Sequence, residues 1–292
     1  DRRQRQMCIR DSTYGIPEFK LEKKIVHKRR EILENLGVKF VLNFEVQAKE
    51  LSEIEDKYDA IFLGLGTYES IKGDYKGFEK DGVVEALPYL TENTKYLMNE
   101  NDALSMDFKN QKVVVLGGGD TAMDCVRTAL RQGAKKVTCV YRRDFENMPG
   151  SRKEVKHAME EGVEFLFNHQ IVEAKGDDKL LELIAEETEL FGNDGSGRKK
   201  PKVKEGTQKK IELDKLVIAF GYQASPQEFF TNKKINVDDW GLIQLNNDKF
   251  KYQTSNEKYF AGGDMIIGSS LAVYAIAHGR DAAKEIIKYL NS

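Results

Sequence analysis

The sequence lacks the features that mark membrane proteins and disulfide-rich secreted proteins. It contains no run of about 18 apolar residues, the length that a membrane-spanning helix needs, and no secretory hydrophobic segment at its start. Three cysteines are present, too widely spaced for a disulfide framework, a metal site or a C-x-x-C redox motif: Cys8, Cys125 and Cys139. We therefore expect a cytoplasmic protein without metal ligands, in which Cys125 and Cys139 are buried structural thiols.

The sequence also lacks an excess of charge of either sign. Its 46 basic and 48 acidic residues give a formal net charge of −2, which provides no general attraction for nucleic acid or for an anionic membrane. Four histidines lie in no arrangement typical of a nucleophile or a metal centre, and we expect surface or structural roles for them: His27, His157, His169 and His278. The 292 residues are enough for two domains with their own cores.

A glycine-rich stretch at residues 113–122 is the most informative part of the chain. An apolar, β-branched run ends there at three glycines, and a helical apolar pattern follows directly. In this G-x-G-x-x-A motif the first glycine permits a tight turn, the second lets a pyrophosphate approach the backbone, and the alanine lets the helix pack against the strand. The residues expected to hold a dinucleotide here are Gly117, Gly118, Gly119, Asp120, Thr121 and Ala122.

A second strand pattern, at Lys136–Tyr141, completes a β-α-β unit and indicates which dinucleotide is bound. NAD sites usually carry an acidic residue at the end of this strand, where it holds the ribose 2′-hydroxyl. Here the strand is followed by Arg142 and Arg143, whose planar guanidinium groups suit a 2′-phosphate. The pattern favours NADP(H) over NAD(H). Two alternatives stay open: Asp144 could turn towards the ribose, or the arginines could be a solvated pair on a loop.

The chain before the glycine-rich stretch contains an unusual leader and a second glycine pair. Residues 1–12 are basic, show no apolar periodicity, and are expected to be a non-native or disordered leader. The predicted elements are helices at 25–36 and within 82–97, and strands at 38–42 and 58–67. The second of these strands ends in Gly64, Gly66 and Thr67 with no helix pattern behind it. We expect Gly66 and Thr67 to approach a cofactor or another chain segment closely, not to form a phosphate loop.

The chain after Arg143 repeats strand patterns around a polar insert. The predicted strands cover 162–167, 171–174, 180–188 and 210–219. The insert, residues 192–206, contains Arg198-Lys-Lys200, but no aromatic residue interleaves with these cations, so a solvated loop is favoured over a nucleic-acid patch. The predicted strand that ends at Gly221 has the same sequence pattern as the one that ends at Gly66, because each has an Asp, an apolar run and a final glycine. The repeated pattern predicts two related nucleotide-binding domains, with Gly221 beside a cofactor.

The C-terminal segment combines a glycine pair, an acidic residue and an alanine-rich helix pattern. Gly263, preceded by another glycine, allows close backbone approach, and Asp264 could accept hydrogen bonds from sugar or ribityl hydroxyls. The helix is expected to open near Ser270 and Leu271, where its positive end favours the negative charge of a reduced flavin. These features indicate a flavin site. The alternative is that Asp264 is a helix cap or a turn residue.

Together these motifs resemble the small (β) subunit family of bacterial NADPH-dependent glutamate synthases. The resemblance begins at Thr13, and its motifs are Tyr14-Gly-Ile-Pro-Glu-Phe-Lys20, Gly117-Gly-Gly-Asp-Thr-Ala-Met-Asp124, Tyr141-Arg-Arg143, Met148-Pro-Gly-Ser-Arg152, Ala261-Gly-Gly-Asp264 and Gly279-Arg280. It implies an α/β fold of two interleaved Rossmann-like dinucleotide-binding domains, a discontinuous one for FAD and an inserted one for NADPH. It also implies that Arg142 and Arg143 bind the 2′-phosphate and that Asp264 and the following helix start bind FAD.

The resemblance also predicts domain bounds and shows what the chain lacks. Residues 13–108 and 225–292 are expected to form a partial FAD-binding domain, and residues 109–224 the NADPH-binding domain. The family carries, upstream, a cysteine-rich segment for iron–sulfur clusters and a first G-x-G-x-x-G for FAD, and neither occurs here. The first β-α-β unit of the FAD domain is thus expected to be missing, and iron–sulfur clusters are expected only in the missing region or in a partner.

The activity that the resemblance implies is electron input. NADPH would transfer hydride to FAD, and the flavin would pass electrons on for glutamate synthesis from glutamine and 2-oxoglutarate. Hydride transfer to a flavin needs two well-placed rings and no side-chain acid or base, so no catalytic residue is assigned. The expected partner is the large glutamate synthase subunit or another electron-accepting subunit. Two alternatives stay open: a related flavoprotein subunit of the ferredoxin–NADP+ oxidoreductase or pyrimidine-reducing type, and a truncated NADPH-binding chain without activity.

Overall fold

The computed structural model describes residues 11–73, 75–195, 197–246 and 248–292, so the predictions for residues 1–10, including Cys8, lie outside the described residues. The helices are α1 (Lys23–Asn35), α2 (Ala48–Lys57), α3 (Ala86–Leu97), α4 (Asp120–Arg131), α5 (Arg152–Glu160), α6 (Phe229–Asn232), α7 (Asp264–Ile267) and α8 (Ala272–Leu290). The strands are β1 (Ile61–Leu63), β2 (Glu69–Ser70), β3 (Val83–Glu85), β4 (Lys112–Leu116), β5 (Lys136–Tyr141), β6 (Glu164–Phe167), β7 (His169–Lys175), β8 (Glu182–Phe191), β9 (Lys200–Val203), β10 (Lys209–Glu212), β11 (Lys215–Ile218), β12 (Tyr222–Gln223) and β13 (Tyr259–Ala261).

These residues form two compact units, each made of separate chain segments. The inserted unit comprises residues 14–21 and 71–221, and the discontinuous unit comprises the described residues among 1–13, 22–70 and 222–292. The predicted division had its breaks after residues 108 and 224. The first break lies well upstream of the predicted one, because β3 pairs with β11 and α3 contributes to the core of the inserted unit.

The inserted unit is built on a five-stranded parallel sheet in the order β3-β11-β4-β5-β6. The strand order reverses at β4, since β5 lies on one side of it and β11 on the other. In parallel sheets of this type, ligands bind at such a reversal, outside the carboxyl ends of the strands. The glycine-rich stretch follows β4 directly, so the topology places it at this point.

Both faces of the parallel sheet are covered, which explains the unbroken apolar run before the glycines. Val113 and Val115 belong to a core that includes residues of α3, α4 and α5, whereas Val114 and Leu116 belong to a second core with residues of β7 and β8. Cys125 and Cys139 are free thiols buried in the first core, which confirms the prediction for them.

The second sheet of the inserted unit is antiparallel. Its order is β10-β8-β7, and β9 also pairs with β8. Strands β8 and β9 form a hairpin in which Phe191 lies opposite Lys200. We call the described residues of this turn, 192–195 and 197–199, the hairpin loop. The polar insert was predicted to be one solvated loop, and β9 was missed because its Lys-Pro-Lys-Val sequence has almost no apolar signal.

The discontinuous unit has a smaller ordered framework. Strands β1 and β13 pair in parallel, and β2 and β12 pair in antiparallel fashion. Its core includes Leu63, Phe230, Tyr259 and Met265. Several large apolar side chains stay exposed on α1, on α8 and on the segment after α1: Ile25, Leu36, Val41, Val273 and Ile276. These apolar surfaces have no covering partner within the described part of the chain.

The remaining predicted elements are present with shifted bounds, but the strand predicted at 58–67 covers only β1 (Ile61–Leu63), and two further predictions differ from the structure. The strand predicted at 38–42 is not formed, and Val41 is exposed. The strand predicted at 210–219 is divided into β10 and β11, because Asp214 turns the chain and its carboxylate accepts a hydrogen bond from the Lys112 N–H at 2.8 Å. Helix α7 was not predicted, since four residues are too few to show a helical period.

Candidate functional site

The glycine loop between β4 and α4 allows side chains at neither of its first two glycines. Gly117 has a φ of +144°, and a Cβ placed on it would lie 2.3 Å from the carbonyl oxygen of Ala219. A Cβ on Gly118 would lie 2.5 Å from the ring of Tyr141. At Gly119, by contrast, a Cβ would meet nothing within 4 Å. The fold therefore requires the first two glycines, whereas Gly119 borders open space.

The amino end of α4 has the features of an anion site. The helix begins at Asp120 with Gly119 as its N-cap, and no side chain caps it. The first N–H groups of a helix have no intrahelical acceptors, and the helix dipole adds positive potential there. Thr121 is partly exposed in this first turn, and Ala122 is fully buried in the core next to the sheet. Such an end can bind phosphate without help from basic side chains.

Residues 148–151 pack beside the glycine loop. The Gly150 N–H donates to the Gly118 carbonyl oxygen at 2.9 Å, and the Ser151 N–H donates to Asp120 Oδ1 at 2.9 Å. A Cβ on Gly150 would lie 2.9 Å from the same carbonyl oxygen. The Asp120 carboxylate, predicted to be a cofactor contact, thus holds a neighbouring loop in place.

The two arginines after β5 have different surroundings. Arg142 is exposed, and no ion pair joins it to a described residue. Burial raises the pKa of Tyr75, and the nearby charge of Arg142 partly offsets this rise. Arg143 is only 4% exposed. Its Nε donates to the Lys199 carbonyl oxygen at 2.6 Å and its Nη2 to Asp194 Oδ2 at 2.8 Å, so its guanidinium bonds to the hairpin loop.

Asp144, directly after the arginines, is bonded within its own segment. Asp144 Oδ1 accepts hydrogen bonds from the N–H of Asn147 at 2.9 Å and from its side-chain amide at 2.7 Å. This carboxylate caps the short 3-10 turn Phe145–Asn147, which opposes the alternative that it turns towards a ribose. The Asn147 side chain in turn accepts from the N–H of Lys199 at 3.0 Å.

In the discontinuous unit, a second group of predicted residues meets where β1 and β13 end. Gly66 follows β1 with a φ of +64°. Thr67 Oγ1 lies 2.8 Å from Ser269 Oγ, which donates to the Tyr222 carbonyl oxygen at 2.9 Å. Gly221 belongs to the inserted unit, with a φ of +100° and open space at its Cβ position. Both glycines of the repeated sequence pattern therefore have left-handed backbone, which few other residues adopt.

Asp264 opens α7 directly after the second glycine pair. Gly263, its N-cap, has a φ of +75°, and the Gly263 N–H donates to Nδ1 of His278 at 3.1 Å. Burial raises the pKa of Asp264, although a backbone hydrogen bond from Ser270 opposes the rise. Helix α8 begins one residue after Leu271, which is its N-cap. The carboxylate thus lies at a helix start and has acceptor capacity beyond its single backbone bond.

Sequence reasoning missed several residues that the structure brings to these sites. Gly150 and Ser151 occur in the Met148–Arg152 motif of the resemblance, but no role was assigned to them. His278, expected to be a surface or structural residue, accepts a hydrogen bond from the N–H of Gly263, a contact that the sequence did not indicate. The hairpin loop was dismissed as solvated, because only tertiary contacts join it to β5.

The described residues contain neither a membrane-spanning helix nor a metal-binding cluster. No helix among them is both long and apolar enough to cross a membrane. No group of three or more His, Cys, Asp or Glu side chains in the same part of the chain is placed to hold a metal ion.

Comparison with known proteins defines the class to which this fold and site belong. The sequence profile described as "Pyridine nucleotide-disulphide oxidoreductase" matches residues 15–279. The chain belongs to this family. In three dimensions it is similar to Mycobacterium tuberculosis FprA in complex with NADPH, with a TM-score of 0.76, 18% identity, and coverage of 96% of this chain and 75% of that one. At this identity the likeness shows the fold alone, and it confirms the predicted α/β fold.

Relatives with higher sequence identity include glutamate synthase (NADPH) small chains. The chain is 46% identical over 283 residues to the glutamate synthase (NADPH) small chain of Halomonas elongata, covering 96% of this chain and 60% of that protein. It is 42% identical over 284 residues to the putative glutamate synthase (NADPH) small chain of Cereibacter sphaeroides, covering 95% and 68%. These matches confirm the family resemblance. The chain spans about 60% of the length of the first of these relatives.

Proposed function

We propose that this chain is part of an NADPH-oxidising flavoprotein that supplies electrons for glutamate synthesis. The observation that carries the proposal is the glycine loop before the uncapped α4, which lies where the strand order of the parallel sheet reverses. The chain that contains it is 46% identical to glutamate synthase (NADPH) small chains. No side-chain acid or base is needed, because positioning of the two reacting rings is the protein's main task.

The residues of the inserted unit fit NADPH. The space at Gly119 and the uncapped start of α4 suit the pyrophosphate, since backbone N–H groups can converge on it there. Arg142 is exposed at the end of β5, where the substituent on the adenosine ribose is read in folds of this type. Gly117 and Gly118 are needed for the conformation of the loop, because a Cβ at either position would clash with Ala219 or Tyr141.

The residues of the discontinuous unit fit only part of an FAD site. When bound, FAD would accept the hydride of NADPH. Asp264 has free acceptor capacity for ribityl hydroxyls, and Gly66, Thr67 and the start of α8 at Leu271 supply backbone for close approach. The strand–glycine–helix arrangement of β13, the glycine pair and α7 has only a four-residue helix, and the carboxylate of Asp264 in its first turn would repel the FAD diphosphate. We expect weak flavin retention by the chain alone.

The proposed partner is the large glutamate synthase subunit, to which the flavoprotein would pass electrons. A second candidate is a related NADPH-dependent subunit that serves another acceptor. Its support is the putative oxidoreductase AegA of Escherichia coli, which is 45% identical over 285 residues, covering 95% of this chain and 43% of that protein.

Nucleotide titration of an Arg142 variant tests the proposal. Arg142→Ala should weaken NADPH binding by about 1.5–3 kcal/mol, the usual range for hydrogen bonds to a charged group, and should leave NADH binding unchanged. Arg30→Ala is the control, because Arg30 is a partly exposed arginine of the other unit that pairs with Glu34. A parental chain without measurable NADPH affinity, or equal losses for both nucleotides, would contradict the proposal.

A further inference from the structure

We propose that Lys199 is the second cation of the 2′-phosphate subsite, and that Arg143 and Asp194 hold it there. The inference rests on the proposed binding of NADPH and deepens it. It assigns different tasks to the paired arginines after β5: Arg142 contacts the phosphate, whereas Arg143 is a positioning residue. The hairpin loop, a segment of the antiparallel sheet, thereby becomes a wall of the nucleotide site.

The guanidinium of Arg143 is already hydrogen-bonded within the protein. Its two bonded nitrogens face the Lys199 carbonyl oxygen and the Asp194 carboxylate, and the residue is 4% exposed. A phosphate that approached this guanidinium would also approach the Asp194 carboxylate and would be repelled by it. Displacing Asp194 from Arg143 would break this 2.8 Å ion pair and leave the carboxylate with the more distant Arg198, at 4.0 Å, and the free energy lost would weaken the binding of the phosphate.

Lys199 is held by its main chain against the residues that follow Arg142. Its N–H donates to Asn147 Oδ1 at 3.0 Å, and its carbonyl oxygen accepts from Arg143 Nε at 2.6 Å. Because both polar groups of its backbone are bonded to residues 143–147, the Cα of Lys199 has a defined place at the end of β5. The side chain is exposed and joins no described residue in an ion pair. Its flexible four-carbon stem lets the ammonium turn towards a phosphate beside Arg142.

The acidic groups around this place are already bonded. Asp194 pairs with Arg143 at 2.8 Å, Asp144 accepts from Asn147, and Glu146 pairs with Arg152 at 2.9 Å. Arg142 and Lys199 are thus two cations near the end of β5 for which no ion pair with a described residue is formed. A dianionic 2′-phosphate between them would receive two charge-assisted contacts.

The first test compares Lys199 with another lysine of the same hairpin. In the full 292-residue chain, Lys199→Ala should raise the Kd for NADPH about tenfold, the equivalent of 1.4 kcal/mol, and leave the Kd for NADH unchanged. Lys202→Ala is the control, because Lys202 is an exposed lysine in β9 that lies opposite Glu189, beyond the hairpin loop. It should change neither Kd.

The second test addresses the positioning pair. Asp194→Asn and Arg143→Ala should each raise the Kd for NADPH about tenfold, and neither should add to the effect of Lys199→Ala, since all act through one ammonium. Trypsin should cleave after Arg198 and Lys199 faster in both variants, because the loop is no longer held. NADPH should protect these bonds in the parental chain more than NADH does. Thermal unfolding of both variants is measured as well. A purely structural role would lower Tm without changing the ratio of the Kd for NADPH to the Kd for NADH.

The outcomes separate this inference from the proposed function. Tighter NADPH binding by Asp194→Asn would show that Arg143 itself contacts the phosphate, and would overturn the inference. The inference would also be overturned if Lys199→Ala and Lys202→Ala bound NADPH with equal affinity while Arg142→Ala still weakened NADPH binding. A parental chain that does not bind NADPH would overturn both the inference and the proposed function.

Discussion

At the scale of single residues, the glycines of the loop are required for different physical reasons. Gly117 has a positive φ and touches the Ala219 backbone, whereas Gly119 has a φ of −89° and borders open space. The motif itself predicts a turn at the first glycine and ligand approach at the other. The structure assigns the first to folding and the third to ligand approach.

This difference predicts opposite behaviour of two variants. Gly117→Ala should lower the free energy of unfolding by at least about 2 kcal/mol, because the alanine would be strained and would meet a backbone carbonyl. Gly119→Val should change it by less than about 1 kcal/mol, the scale of an N-cap substitution, and should abolish NADPH binding. Urea denaturation and nucleotide titration of both variants check this. Parental NADPH affinity in Gly119→Val would show that the loop is only a turn.

A second residue-scale prediction concerns Asp124, which is 6% exposed. Burial raises the pKa of this carboxyl to about 6, although Lys20 Nζ lies 2.7 Å from its Oδ1 and lowers the pKa. The unfolded-state pKa is about 3.9. Between these values the folded protein keeps a proton that the unfolded chain has lost, so stability due to Asp124 falls as the pH rises from about 4 to 6.

Asp124→Asn removes this titration. The unfolding free energy of the variant minus that of the parent should therefore increase by about 2–3 kcal/mol between pH 4 and pH 7.5. Glu161, whose pKa is lowered to about 2 by hydrogen bonds from Arg131, titrates in both proteins and cancels in the difference. A difference that does not vary with pH would mean that Asp124 is ionised normally in the folded state.

At the scale of elements, α4 and α5 are joined by ionic contacts that also hold residues 14–21. Arg127 of α4 donates to Glu154 at 2.7 Å and to Glu161 at 2.8 Å, and its guanidinium lies 4.6 Å from the centre of the Phe19 ring. This cluster explains why the Tyr14–Lys20 motif belongs to the inserted unit, although its sequence neighbours belong to the other.

Arg127→Ala should therefore destabilise the protein by about 3–5 kcal/mol, because it removes a buried guanidinium that is the nearest cation to Glu154 and also bonds Glu161. Lys136→Ala removes an exposed ion pair with Glu164 and should cost less than about 1 kcal/mol. Chemical denaturation of both variants measures the two costs. Equal losses of unfolding free energy in the two variants would indicate that the buried Arg127 ion pairs contribute no more stability than an exposed ion pair.

At the scale of the whole molecule, the discontinuous unit leaves several large apolar side chains exposed. Leu36 is 77% exposed, and Ile276 of α8 is 67% exposed. Scattered apolar residues are ordinary on protein surfaces, but a group of them marks a surface that another segment covers. The relatives are longer than this chain, and so contain further residues that could cover it.

A chimaera tests this expectation. Replacing residues 1–12 with the strand–G-x-G-x-x-G–helix of a glutamate synthase small chain should give a yellow protein that reduces an artificial dye with NADPH. In that chimaera, Asp264→Ala should weaken flavin retention by about 1–3 kcal/mol, the usual cost of losing a hydrogen bond to a charged group. The absorbance spectrum and dye assay measure both effects. Stoichiometric FAD in the unextended chain would contradict the expectation.

The sequence by itself determined the elements whose signals are local. The apolar run, the three glycines and the helical period of residues 113–131 required a strand, a turn and a helix, because each signal depends on neighbouring residues alone. The cofactor motifs were readable for the same reason. The strand at 38–42 was predicted wrongly because apolar residues can also lie exposed in irregular backbone.

Only the tertiary structure decided which of the motif residues is available to a ligand. Arg142 and Arg143 are identical in type and adjacent in sequence, yet one is exposed and the other is bonded to a loop more than fifty residues away. The same holds for residues 14–21 and for His278, whose partners lie far along the chain. Burial and hydrogen bonding between distant segments depend on how the sheets pack, and no local pattern of residues records that packing.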